Sequence, residues 1–440
     1  MPSALVFYQY LYPDDVVSSI HISELCAGLA ASGWEVTAVP CNRGCRDESR
    51  TYTSRMTWKG VHIERVWRPP ARQASSFGRL FNAVWMIARW SAHALFVWPK
   101  PDVVIVGTDP IFSVLTAIVW KRIRRTPVAH WCFDLYPEAA VAGGIANPNS
   151  LLIRVLSRAL RLAYQSCDMI VDLGTCMSQR LENYAPAARK MTVIPWALIE
   201  PLSPLRTDLA ERKSLFSEAR LALLYSGNYG LAHQSECTLA LARRLRGSGL
   251  RLVFSVRGNR AAALQVSVDA QDTNIGFVPF ADQSQLQARL SCADVHVVSL
   301  RPSWTGTVVP SKFFGALAAG RPVLFEGAED CSIAKWIREF GVGWVLNRES
   351  IDEVAADLLE SFSSPERVAD LRRRCHALYQ ERFSRAHGIE KWHEALCSLA
   401  EFRVSPLPVE GALCERPFVV DSRDSGGPRS ASAAARSLKK

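Results

Sequence analysis

The chain lacks several features that would narrow its role at once. No stretch reaches the ~20 uninterrupted apolar residues that a bilayer-crossing helix requires, which excludes an ordinary membrane span. Met1-Pro-Ser runs straight into the apolar segment 4–10, with no basic lead and no small-residue cleavage site, so no secretory signal is expected. No Gly-x-Gly-x-x-Gly follows an apolar strand, which argues against a dinucleotide-dependent dehydrogenase. The twelve cysteines are scattered, and the closest pair, Cys41 and Cys45, has no second pair at zinc-like spacing. Reduced, buried thiols in a cytoplasmic protein are the expectation. No period of 20–50 residues repeats, so a solenoid is excluded.

What the chain does contain is a large apolar share. At 440 residues and 48% hydrophobic content, it is long enough for two or three domains with complete cores. Lysine and arginine outnumber the acids 52 to 42, a net charge of +10. That excess favours an anionic partner, whether nucleotide phosphates, a membrane surface or nucleic acid.

Short apolar runs alternate with helical patterns. The runs 4–8, 34–39, 103–106, 127–132, 169–172 and 193–194 form a first series, with an early helix over 19–31. A second series comprises 221–225, 252–256, 274–277, 295–300, 322–325 and 343–345. Continuous apolar strands between helices predict parallel sheets covered on both faces. The loop-like Glu200-Pro-Leu-Ser-Pro-Leu-Arg206 separates the series, so the fold class is α/β with two doubly wound, Rossmann-like domains, 1–200 and 201–380. Residues 365–382 and 388–399 read as helices. The Pro-, Ser-, Gly- and Arg-rich stretch 403–440 reads as a disordered basic tail.

Candidate chemistry falls in loops after strands, where open parallel sheets bind ligands. After the first strand, the N–H groups of Val17, Ser18 and Ser19 open a helix and can face an anion; the alternative is that Asp15 or Ser18 merely caps it. His130-Trp-Cys-Phe-Asp134 follows another strand, and His130 or Asp134 is placed to orient or deprotonate a hydroxyl. The plainer alternative makes Asp134 a turn former. In the second domain, Tyr225-Ser-Gly-Asn-Tyr-Gly230 offers Ser226, Gly227 and Asn228 at a strand end, with His233 just beyond. The segment 306–325 reads as glycine loop, helix start, small-residue helix, glycine stop and strand. A diphosphate would sit against Thr307, Val308, Val309 and Ser311, with Lys312 supplying charge. A cation in the first turn of a helix opposes the helix dipole, so an anion is expected to compensate. The Trp-rich, amphipathic segment 81–98 suits a membrane interface as well as a sheet-covering helix.

The order of these segments resembles the retaining glycosyltransferases of family 4. The resemblance rests on Tyr12-Pro-Asp-Asp-Val-Val, Asp134-Leu-Tyr-Pro-Glu, Val193-Ile-Pro-Trp, Tyr225-Ser-Gly-Asn, Gly276-Phe-Val-Pro and Pro310-Ser-Lys-Phe-Phe-Gly-Ala-Leu-Ala-Ala-Gly-Arg-Pro-Val. It is similar in particular to the enzymes of colanic acid, O-antigen and capsule synthesis. The resemblance implies a GT-B architecture of two facing lobes, with a helix within 381–402 crossing back to the first. It implies a nucleotide-sugar donor on the second lobe and a saccharide or lipid-linked acceptor on the first. No metal, cofactor or nucleic acid is expected; the expected location is cytoplasmic, with peripheral contact to an anionic membrane resting on the segment 81–98. The family's two glutamates are replaced by Thr307 and Gly315, so ribose contacts would fall to Glu326, Glu329 or Asp330. Two other readings stay open: a nucleotide-sugar 2-epimerase of the same architecture, and a non-catalytic scaffold.

Overall fold

The computed structural model describes residues 1–400. The expected basic tail, and residues 401–402 of the expected crossover, lie outside the described residues. The first series builds a sheet from β1 (Ser3–Phe7), β2 (Glu35–Ala38), β3 (Arg55–Trp58), β4 (Val61–Glu64), β5 (Val103–Gly107), β6 (Val128–Trp131), β7 (Met169–Asp172) and β8 (Arg189–Thr192). Its order is β3-β4-β2-β1-β5-β6-β7-β8. The second series builds another from β9 (Leu221–Asn228), β10 (Leu250–Arg257), β11 (Ile275–Phe277), β12 (Val295–Ser299), β13 (Val323–Glu326) and β14 (Gly343–Leu346). That sheet is parallel throughout, in the order β11-β10-β9-β12-β13-β14. We call the two halves the front and rear lobes.

The apolar runs explain both sheets. All five residues of β5, Val-Val-Ile-Val-Gly, are buried because helices cover both faces. Strand order reverses between β1 and β5 and between β9 and β12, which opens a crevice at the carboxyl ends of those strands. Two elements differ from expectation. The last front strand is Arg189–Thr192 and not 193–194; its polar Arg-Lys-Met-Thr suits an edge, where charge is tolerated. The β3–β4 hairpin turns at Lys59-Gly60, both at positive φ (46° and 79°), as a two-residue hairpin turn demands.

The helix Arg385–Ala400 belongs by sequence to the rear and by packing to the front. Its Ile389, Trp392, Ala395 and Leu396 share one core with Ala4, Val6, Leu25, Trp131 and Trp196. The preceding helix, Pro365–Arg382, stays with the rear lobe. At the junction the Tyr379 hydroxyl donates to Glu200 (2.6 Å) and accepts from the Ala197 N–H (2.8 Å). Arg385 spans Glu24 (2.7 Å) and Glu200 (3.5 Å). A second set of contacts joins the lobes at the crevice: the Leu135 N–H donates to the Thr307 carbonyl (2.9 Å) and Arg180 Nε to the Thr305 carbonyl (2.7 Å). A groove of about 560 Å³ lies beside them, lined by Cys176, Arg180, Thr305, Asp330 and Lys335.

Candidate active site

On the rear lobe the site begins where β9 ends. Ser226, Gly227 and Asn228 close the strand, and Lys312, at the start of the helix Lys312–Ala318, lies across them. Its Nζ donates to the Asn228 carbonyl (3.0 Å) and stands 5.3 Å from the centre of the Tyr225 ring. The Gly230 N–H donates to Nδ1 of His233 (3.0 Å). A neutral imidazole accepts at one nitrogen and donates at the other, so the hydrogen of His233 is on Nε2. That Nε2 stands 3.3 Å from Lys312 Nζ. Two donors therefore meet with no acceptor between them. Burial and the Lys312 charge pull the His233 pKa down to about 3, and burial pulls Lys312 down to about 8. An anion placed against both groups would relieve the conflict.

The loop leading to Lys312 contributes more donors. Among the described residues, the backbone N–H groups of Val308, Val309 and Ser311 have no hydrogen-bond acceptor. Thr307 corrects the expectation: its N–H and hydroxyl both go to the Trp304 carbonyl (3.0 and 2.8 Å), and its carbonyl takes Leu135. It is a lobe contact and not an anion donor. The helix that follows, Lys312–Ala318, is only seven residues long, so Lys312 and His233 outweigh its dipole.

The glutamates offered for ribose are placed elsewhere. Glu326 is 1% exposed, and its carboxylate holds the Cys237 N–H (3.0 Å), the Thr238 N–H (2.9 Å) and the Thr238 hydroxyl (2.6 Å). It caps the helix Glu236–Arg244 from a neighbouring strand, which removes it as a ligand contact. Glu329 is exposed, paired with Arg338 (2.9 Å) and bonded by Asn347 (2.5 Å). No described contact joins it to Lys312 or His233.

The front side centres on two carboxylates. Asp134 follows β6 as expected. Asp109, which the sequence reading did not single out, follows β5, and its carbonyl accepts the N–H of Gln9 (2.9 Å) in the loop after β1. Burial lifts the Asp134 pKa to about 6; burial, then the Asp134 charge, lifts Asp109 to about 7. Near neutrality the pair holds roughly one proton between two acids. Tyr8 is buried beside them, and burial, then the Asp109 charge, holds its hydroxyl well above the usual phenol range.

The helix Val17–Ala31 starts without a side-chain cap. Asp15 pairs instead with Arg46 (2.7 Å), so the capping alternative falls. The N–H groups of Val17 and Ser18 have no acceptor among the described residues.

His130 is a correction. It is 2% exposed, its Nδ1–H donates to the Val106 carbonyl (2.9 Å), and burial takes its pKa down to about 4. It is a core histidine packed edge-on against Tyr164, with no path to a substrate.

Residues 18–197 match the family model described as "Glycosyl transferase 4-like domain". The front lobe is thus similar to that domain. The probable glycosyltransferase WbjE of Pseudomonas aeruginosa is 25% identical over 256 residues, 56% of this chain and 62% of that protein. The match thus spans about three-fifths of that relative's length. Sucrose-phosphate synthase from Thermosynechococcus elongatus superposes with a TM-score of 0.64 at 13% identity, over 91% of this chain and 99% of its own. HepE from Anabaena, solved with UDP and glucose, gives 0.58 at 13% identity, over 90% of this chain and 100% of its own. The two lobes together make a GT-B fold.

Proposed function

We propose that the protein is a glycosyltransferase. It moves a sugar, with retention, from a nucleoside-diphosphate sugar to a saccharide or lipid-linked acceptor in surface-polysaccharide synthesis. The observation that carries this reading is the Lys312–His233 pair, two hydrogen-bond donors 3.3 Å apart and short of an anion. HepE, of the same fold, was solved with UDP and glucose.

In the transfer, the bond between sugar C1 and the diphosphate oxygen breaks, and the acceptor hydroxyl oxygen bonds to C1 on the same face. Lys312, the His233 Nε2–H and the N–H groups of Val308, Val309 and Ser311 meet the charge growing on the diphosphate. Such fixed donors act most strongly on charge that develops late. Asp134 accepts a hydrogen bond from the acceptor hydroxyl and aims it; the hydroxyl proton passes to the departing phosphate oxygen. The Leu135–Thr307 bond holds Asp134 next to the donor loop, which limits water and so hydrolysis of the donor.

A thermal-shift panel of nucleoside diphosphates tests this. At least one should raise the unfolding midpoint by mass action, and Lys312→Ala should abolish that rise while the fold persists. Silence across the panel would leave a scaffold. A UDP-sugar isomerised without any acceptor would instead identify an epimerase, a reading that the Asp109–Asp134 pair also accommodates.

A further inference from the structure

The outer side of the front lobe does not look like a surface meant for water. The helix Ser76–Phe96 buries Gly78, Asn82, Ala83, Met86, Trp90 and Ala94. Its opposite side is expected to be polar. Instead Phe77, Phe81, Val84, Ala88 and Leu95, all exposed, recur at helical spacing along one outward line. The line runs about 27 Å at 1.5 Å per residue. Phe77 is 79% exposed, and the stripe continues past the helix end into Trp98, which is 86% exposed.

A second helix repeats the pattern. Leu151–Gln165 turns Leu151, Val155 and Leu162 outward, with Arg154, Arg158 and Arg161 on the flanks of that line. The short helical stretch 116–124 packs between the two helices and exposes Lys121, Arg122 and Ile123. None of the three segments contains an aspartate or glutamate. Among the described residues, Arg79, Arg89, Arg122, Arg154, Arg158 and Arg161 enter no ion pair with a carboxylate.

We infer that this three-segment face docks on an anionic lipid bilayer. The two apolar lines seat at the level of the acyl boundary, and the flanking arginines lie among acidic headgroups. A bilayer is the occupant because both lines are straight and shallow, and the cations beside the second line and on the stretch between the helices are of one sign, the layout of an interfacial helix and not of a pocket. The surface joins the segment 81–98 to the basic run 121–125 and to the Arg154, Arg158 and Arg161 face, which the sequence offers either as solvated charge or as a membrane-facing patch and which add most of the charge. The face lies at the lip of the crevice: Gln73, just before the first helix, bonds its Nε2–H to Tyr10 in the loop after β1 (3.1 Å).

Flotation of the full chain with vesicles tests the inference without any activity readout. Vesicles of phosphatidylcholine with a quarter phosphatidylglycerol should carry the protein, and pure phosphatidylcholine should carry at least tenfold less. Raising the salt should weaken the binding. Two variants, Phe77→Ser/Phe81→Ser and Arg154→Gln/Arg158→Gln/Arg161→Gln, should each lower binding to the acidic vesicles at least tenfold. Their unfolding midpoints should match the wild type, because every changed side chain is exposed. Indifference to both vesicle types, or wild-type binding by the phenylalanine variant, would overturn the docking. So would a stable dimer that Phe81→Ser dissociates, which would make the face an interface between copies.

Discussion

A Cβ at Gly227 would stand 2.5 Å from Cε of Lys312, closer than any real contact, and Gly227 itself sits at φ +134°. The lysine can lie across the end of β9 only because that residue has no side chain. Gly227→Ala should therefore displace Lys312 and strain the strand end together. The expected result is a lower unfolding midpoint and nucleoside-diphosphate affinity down at least tenfold, measured by calorimetry. Unchanged affinity would separate Lys312 from the anion site.

Lys312 has its pKa held near 8 by burial. An anion bound against it favours the charged form, so its pKa must rise on binding. Between about pH 8 and 9, nucleoside-diphosphate binding should take up a fraction of a proton. Calorimetry in buffers of different ionisation enthalpy reads this directly. Lys312→Met should abolish the uptake and weaken binding at pH 7.

Asp109 and Asp134 titrate near 7 and 6 in the folded chain, against 3.8 as ordinary carboxyls. Stability contributed by their protonated forms is fully present below about pH 4 and is lost as pH rises through 6 to 7. Asp109→Asn removes the larger share. Its unfolding midpoint should climb relative to wild type between pH 4 and pH 8, and the gap should close again in acid. Asp134→Asn should show a smaller gain in stability with a loss of transfer activity. A wild-type rate would remove Asp134 from the acceptor side.

Gly28 meets the C-terminal helix so closely that an added Cβ would lie 2.6 Å from Ile389 Cδ1. Gly28→Val should overpack this seam by about 1–3 kcal/mol. Ile389→Ala in the same chain should recover part of the loss. Chemical denaturation of the two single variants and the double variant measures the coupling; strict additivity would show that the two side chains do not meet.

The fold was largely legible because buried parallel strands are continuous apolar runs, and eleven of the twelve runs visible between helices are strands. The strands that escaped are polar and lie at or near an edge: β8, and the β3–β4 hairpin, whose Lys59-Gly60 turn was the available signal. Site residues were harder. His130 drew notice by its chemistry, yet it lies inside β6, where both faces are covered, so its side chain had nowhere to point but the core. Glu326 misled in the same way, as the last residue of a buried strand. Asp109 was hidden in Thr108-Asp109-Pro110, which reads as an ordinary turn; its place directly after an apolar strand was the clue. Lys312 is singled out in the sequence by its position at a helix start. What made it informative, the His233 hydrogen set by Gly230, depends on a contact that spacing does not reveal.

The seating of Ile389 and Trp392 in the front lobe has a consequence for biogenesis. The front lobe leaves the ribosome before the rear lobe, and it is missing part of its own interior until the helix Arg385–Ala400 has been synthesised. Throughout production of the rear half, the nascent front half carries an open apolar gap between Gly28 and Trp196. A stop codon ahead of residue 385 would therefore damage the front lobe, not merely remove the helix.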